Sequence, residues 1–84
     1  MFYLIEITSY MDKDTVDKGI YSYTDRTLAI ANFHSKMGGA MKKENFKTEM
    51  LMVVDSRGGV QTYDYWEREI EPEEAEVPEK EVEE

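Results

Sequence analysis

The residues whose types and spacing could do chemistry are few, and they gather in the run HSKMGGAMK between His34 and Lys42. His34, Ser35, Lys36, Gly38, Gly39 and Lys42 offer an imidazole, a hydroxyl, two ammonium groups and the amides of a Gly-Gly step. Free N–H groups at a glycine kink beside ammonium groups are what an anion site requires. The segment therefore reads as a candidate cradle for an anionic small ligand, such as a nucleotide, with Lys43 and Arg57 as further cations. The plainer reading is that lysines on an exposed helix face are solvated and that His34, on the flank of an apolar stripe, is a border residue with one hydrogen bond.

Chemistry beyond binding finds little support. The chain has one histidine and no cysteine, so a zinc site would need mostly carboxylates and no serine or thiol nucleophile has a recognisable partner. Asp12, Asp14 and Asp17 suggest calcium, but the central glycine and terminal glutamate of an EF-hand loop are missing. No catalytic residue, metal or cofactor is expected, and neither is enzymatic activity.

A second group of residues points to contact with a macromolecule. Ala31, Ser35 and Gly39 recur every four residues, which on a helix makes a smooth strip where another backbone could come close; the same residues also serve as an ordinary exposed face. Tyr63, Tyr65 and Trp66 are of the types that anchor protein interfaces. Together these six are the candidate partner-binding residues.

The elements that must position both groups follow from periodicity. Thr24 to Asn45 is the one segment long and periodic enough for a substantial helix, capped by Thr24 or Asp25. Ile30, Phe33, Met37, Ala40 and Met41 form its expected core stripe. Gly38 and Gly39 either break it or leave room for something, since a glycine inside a helix costs about 1 kcal/mol relative to alanine. Met1–Tyr10 alternates as a strand, with Tyr3, Ile5 and Ile7 on one face and Phe2, Leu4, Glu6 and Thr8 on the other. Met11–Lys18 reads as a polar loop, Gly19–Tyr23 as a short second strand, Phe46–Asp55 as a third and Val60–Trp66 as a fourth. Ser56-Arg57-Gly58-Gly59 is a turn suited to positive φ. The expected fold is α+β, ββαββ: a four-stranded antiparallel sheet with one helix packed on one face, in a single domain over residues 1–69. One helix covers one face, so the other, expected to draw on Phe2, Leu4, Leu51, Val53, Tyr63 and Tyr65 according to register, needs a partner or a second copy. A solvated face is the alternative.

Composition sets the surroundings. At 84 residues the chain is small, and a domain of that size buries only about 60% of its unfolded surface. The net charge of −9 is concentrated at the C-terminal end, where residues 67–84 carry ten Glu against Arg68 and Lys80. The remainder is close to neutral, which speaks against both a DNA mimic and a duplex nucleic-acid binder. Residues 70–84, rich in Glu with Pro72 and Pro78, read as a disordered acidic tail that aids solubility or meets a basic surface. No apolar run approaches the ~18 residues of a membrane span, and MFYLIEITSY lacks the basic start of a signal peptide. The expected setting is soluble and cytoplasmic, with no membrane partner.

The opening FYLIEIT, the KGIYSY strand, the helix FHSKMGGAMK, the LMVVDSRGGV hairpin and the Tyr-Trp ending before the glutamates together resemble a group of short proteins encoded by phages and mobile elements of gut Firmicutes, over about residues 1–70. The group has no assigned activity. The resemblance implies an accessory factor working inside a bacterial cell, one that binds and modulates a host component or sequesters a signalling nucleotide. A small non-enzymatic interaction protein, partner-bound or self-associating as a homodimer, is thus the first expectation, and an anion-binding sponge at the helix the second.

Overall fold

The computed structural model describes residues 1–69; the expected acidic tail lies outside the described residues. The elements run β1 (Phe2–Tyr10), β2 (Val16–Tyr23), α1 (Arg26–Lys42), β3 (Phe46–Asp55) and β4 (Val60–Glu67). The four strands form one antiparallel sheet in the order β2-β1-β3-β4. The ββαββ arrangement expected from periodicity is the one observed. The long α1 crossing carries the chain from edge strand β2 to β3, which lies beside β1 in the middle of the sheet. β2 is longer than expected because Val16-Asp17-Lys18 pairs with Thr8 and its neighbours rather than looping out.

Asp25 starts the helix, its side chain accepting the Thr27 amide at 3.0 Å. At the other end the Lys43 N–H closes onto the Ala40 carbonyl at 3.2 Å and the backbone turns extended. Gly38 and Gly39 neither break the helix nor admit a neighbour, since a Cβ at either would meet nothing within 4 Å. Met37 and Ala40, buried on either side of them, hold the helix through the weak step. The β3–β4 turn is set by Asp55, whose Oδ1 accepts the amides of Arg57 at 2.9 Å and Gly59 at 2.8 Å. Gly58 takes the required positive φ of 87°.

The core lies between α1 and the sheet: Ala29, Phe33 and Met37 against Leu4, Leu51 and Val53, flanked by Phe2, Tyr23 and Trp66. This corrects two expectations. The buried stripe uses Ala29 in place of Ile30, and Met41 is exposed. Small residues at the helix contact let the backbone approach the sheet, so the close positions go to alanine rather than to the largest apolar side chains. Second, Phe2, Leu4, Leu51 and Val53 point under the helix, not to the uncovered side. Because strand side chains alternate, that assignment sends Tyr3, Ile5 and Ile7 of β1 and Met50, Met52 and Val54 of β3 to the open face. Among the described residues no helix is long and apolar enough to cross a membrane.

Candidate interaction surface

The pairing registers arrange the open face as rows running across the sheet. One row is Ile20–Ile5–Met52–Tyr63, from β2 to β4, and is apolar from edge to edge. On one side of it lies Lys18–Ile7–Met50–Tyr65, and on the other Ser22–Tyr3–Val54–Val60. A fourth row, Val16–Ser9–Thr48–Glu67, closes the patch with polar groups. There the Ser9 and Thr48 hydroxyls hydrogen-bond to each other at 2.5 Å.

Ten of the twelve side chains in the three inner rows are aliphatic, methionine or tyrosine. Several stand far out of the surface: Ile20 is 69% exposed, Tyr63 and Val60 58%, and Tyr65 48%. An apolar patch in this arrangement is the usual mark of a contact surface. It is also a mixed surface of methionine, isoleucine and tyrosine, whose adaptable and amphipathic side chains suit interface cores.

The sequence-derived candidates separate across the sheet. Tyr63 and Tyr65 sit in adjacent rows of the open face. Trp66, expected beside them, is on the helix side, half-buried against the core with the Arg68 guanidinium 5.0 Å over its ring. Neighbouring residues in a strand face opposite ways, so Tyr65 and Trp66 cannot share a surface. Ala31 and Ser35 are exposed on the helix and Gly39 is half-buried there, on the other side of the sheet from the tyrosines. The six proposed partner residues therefore form no single surface. The patch gains instead Ile5, Ile7, Ile20, Met50 and Met52. The signal for them was present in the sequence as the odd positions of β1 and the even positions of β2 and β3.

The anion-site candidates do not converge either. His34 is exposed, its ring edge-on to Phe33 at 5.1 Å, and Gly38 and Lys42 are exposed on the same helix. Of the six, Lys36 lines a cleft of about 410 Å³ beside β2, together with Glu6, Thr8, Tyr10, Tyr21 and Lys43 among others. Its ammonium lies 3.4 Å from Glu6 Oε1 and 4.3 Å from the centre of the Tyr21 ring. The Tyr21 hydroxyl donates to the same Glu6 oxygen at 3.3 Å. Tyr21 folds over Gly19, where a Cβ would come within 2.9 Å of its hydroxyl. The one lysine of the set that enters the cleft is thus already paired.

Behind Thr8 in that region lies Glu49, fully buried in the middle of β3. Thr8 Oγ1 donates to Glu49 Oε1, and Glu49 Oε2 finds no hydrogen-bond partner among the described residues. Burial, together with the Glu6 carboxyl, pushes the Glu49 pKa up to about 8. Thr8 directly opposes Glu49 across β1 and β3, which makes Glu6 the diagonal neighbour. Burial also works against ionising Glu6, but Glu49, Lys36 and Tyr21 outweigh it and hold that carboxyl below its ordinary range. Burial and the Glu6 carboxyl thus favour the neutral form of Glu49, while Lys36 and Tyr21 favour the charged form of Glu6. Sequence reasoning passed over Glu49 because a lone glutamate between Thr48 and Met50 looks like a solvent-facing strand position. Its place two residues before Leu51 and four before Val53 was the available sign of burial. Among the described residues no group of three or more acidic or histidine side chains could hold a metal ion.

No family model, no curated protein sequence and no solved structure matches this chain.

Proposed function

We propose that this is a binding protein without enzymatic activity, and that it works through the open face of its sheet. One observation carries the reading: the rows from Lys18–Tyr65 to Ser22–Val60 are apolar across most of all four strands and have no covering element among the described residues. Burying such a patch on a partner gives about 25 cal/mol per Å² before the costs of association. Tyr63 and Tyr65 suit the anchoring role, each presenting a large ring with few rotatable bonds and a hydroxyl that tolerates a wet rim. Among the described residues, the helix exposes Leu28 and Met41 at its two ends, separated by charged and small residues.

The setting that fits is the inside of a bacterial cell, where an accessory protein of a phage or mobile element would act through a protein contact made by this face. Placing a photo-crosslinking residue at Tyr63, and for comparison at Leu28 on the outer side of the helix, tests the reading in the producing cell. Protein adducts at Tyr63 and none at Leu28 are expected. Adducts at neither position, with the protein present and folded, overturn it.

A further inference from the structure

We infer that the open face is closed by a second copy of this chain, the two sheets stacking face to face with β2 of each copy over β4 of the other. The inference rests on the reading of the face as a contact surface and adds the occupant and its orientation.

Size is the first argument. At about 4.8 Å between strands and about 3.3 Å per residue, four strands by four rows cover about 19 by 27 Å, or roughly 500 Å². Two copies together contribute about 1,000 Å², the size at which specific interfaces begin. The face is continuous from edge strand to edge strand, as sheet-on-sheet packing at about 10 Å separation needs.

Charge and bulk select the orientation. The face carries two charged side chains, Lys18 and Glu67, of opposite sign, on opposite edge strands and in adjacent rows. Its bulk is also lopsided: β4 presents Tyr63 and Tyr65, while β2 presents Ile20 flanked by Lys18 and Ser22. Turning a second copy about an axis parallel to the strands keeps each row opposite the same row and reverses the strand order. Ile20 then meets the partner's Tyr63, and Ile5 meets the partner's Met52. Lys18 comes over the partner's Tyr65, one row from the partner's Glu67. Both charges are matched twice, by symmetry, at the rim where solvent can still reach them. Turning the copy about an axis across the strands instead sets β4 on β4, crowds four tyrosines together and leaves Lys18 facing no acid.

The test uses the purified full-length chain, with mass followed by light scattering across a dilution series. The wild type is expected to dissociate from dimer to monomer on dilution. Lys18→Glu and Glu67→Lys, each placing like charges at both rim sites, are each expected to weaken the dimer by at least about 10-fold, equivalent to about 1.4 kcal/mol. The two together are expected to restore it, a result that loss of folding cannot imitate. A wild type that stays monomeric at every concentration overturns the inference, and crosslinks from Tyr63 to another protein would then still support the face as a contact surface. A dimer that responds to the single substitutions but is not rescued by the pair overturns the orientation.

Discussion

Glu49→Gln should make stability nearly independent of pH where the wild type loses it. The carboxyl of Glu49 is buried and holds its proton up to about pH 8, against an ordinary value of 4.5. A group whose folded pKa is raised contributes stability in full below its unfolded pKa, and that contribution disappears as pH rises to the folded value. The window is therefore pH 4.5 to about 8. At about 1.36 kcal/mol for each tenfold change in proton affinity, the ceiling on the loss is roughly 5 kcal/mol. That is comparable with the whole stability of a small domain. Glu6, whose carboxyl is held below its ordinary range, acts with the opposite sign and only as pH falls below 4.5, so it does not mask the effect.

The substituted amide would keep an oxygen to accept the Thr8 hydroxyl and would carry no titrating proton. Urea unfolding at a series of pH values from about 5 to about 9, spanning the titration, reads both proteins. The wild type should lose stability steadily across the window, with each 1 kcal/mol lowering Tm by about 4–8 °C in parallel melts. The variant should give a nearly level line. A wild type that is level across the window, or a variant with the wild-type slope, refutes the placement of the proton on Glu49.

Three further outcomes follow from the same structure. Gly38→Ala and Gly39→Ala should each stabilise the fold by up to about 1 kcal/mol, because both lie inside α1 and a Cβ there meets open space; destabilisation in chemical unfolding would mean that the helix is interrupted. Asp25→Ala should cost about 1 kcal/mol by removing the cap on the Thr27 amide, with Asp25→Ser recovering most of it in the same unfolding measurement. Phe33→Ala, at the centre of the core, should cost about 3–5 kcal/mol in urea unfolding, whereas Leu28→Ala on the exposed side should cost little.

How much of this was legible in the sequence depended on the type of signal. The β3 limits Phe46–Asp55 were readable to the residue, because an apolar run between Asn45 and the Ser-Arg-Gly-Gly turn leaves little choice. The helix was legible apart from its ends and the exact stripe. The wheel placed Phe33, Met37 and Ala40 correctly but favoured Ile30 and Met41 because hydrophobicity ranks large side chains first, while close helix–sheet contact favours Ala29. What could not be read was which sheet face α1 covers. β1 and β3 are apolar on both sides, so Leu4 and Ile5, or Leu51 and Met52, are equivalent by composition until the helix chooses. That single ambiguity placed Phe2, Leu4, Leu51 and Val53 on the wrong side and hid most of the contact surface. Glu49 escaped for a related reason: a buried acid depends on Thr8 and Glu6, which lie far away in the sequence on β1.

The central claim, that the open face is covered when the protein works, is tested most directly by methionine oxidation in intact producing cells. Met50 and Met52 lie in the middle of that face, while Met11 in the β1–β2 loop and Met41 on the helix are 46% and 49% exposed elsewhere. Protection of Met50 and Met52 in the cell, lost in dilute purified protein while Met11 and Met41 oxidise in both, is the predicted result. Oxidation of Met50 and Met52 at the same rate in the cell and in dilute solution would contradict it.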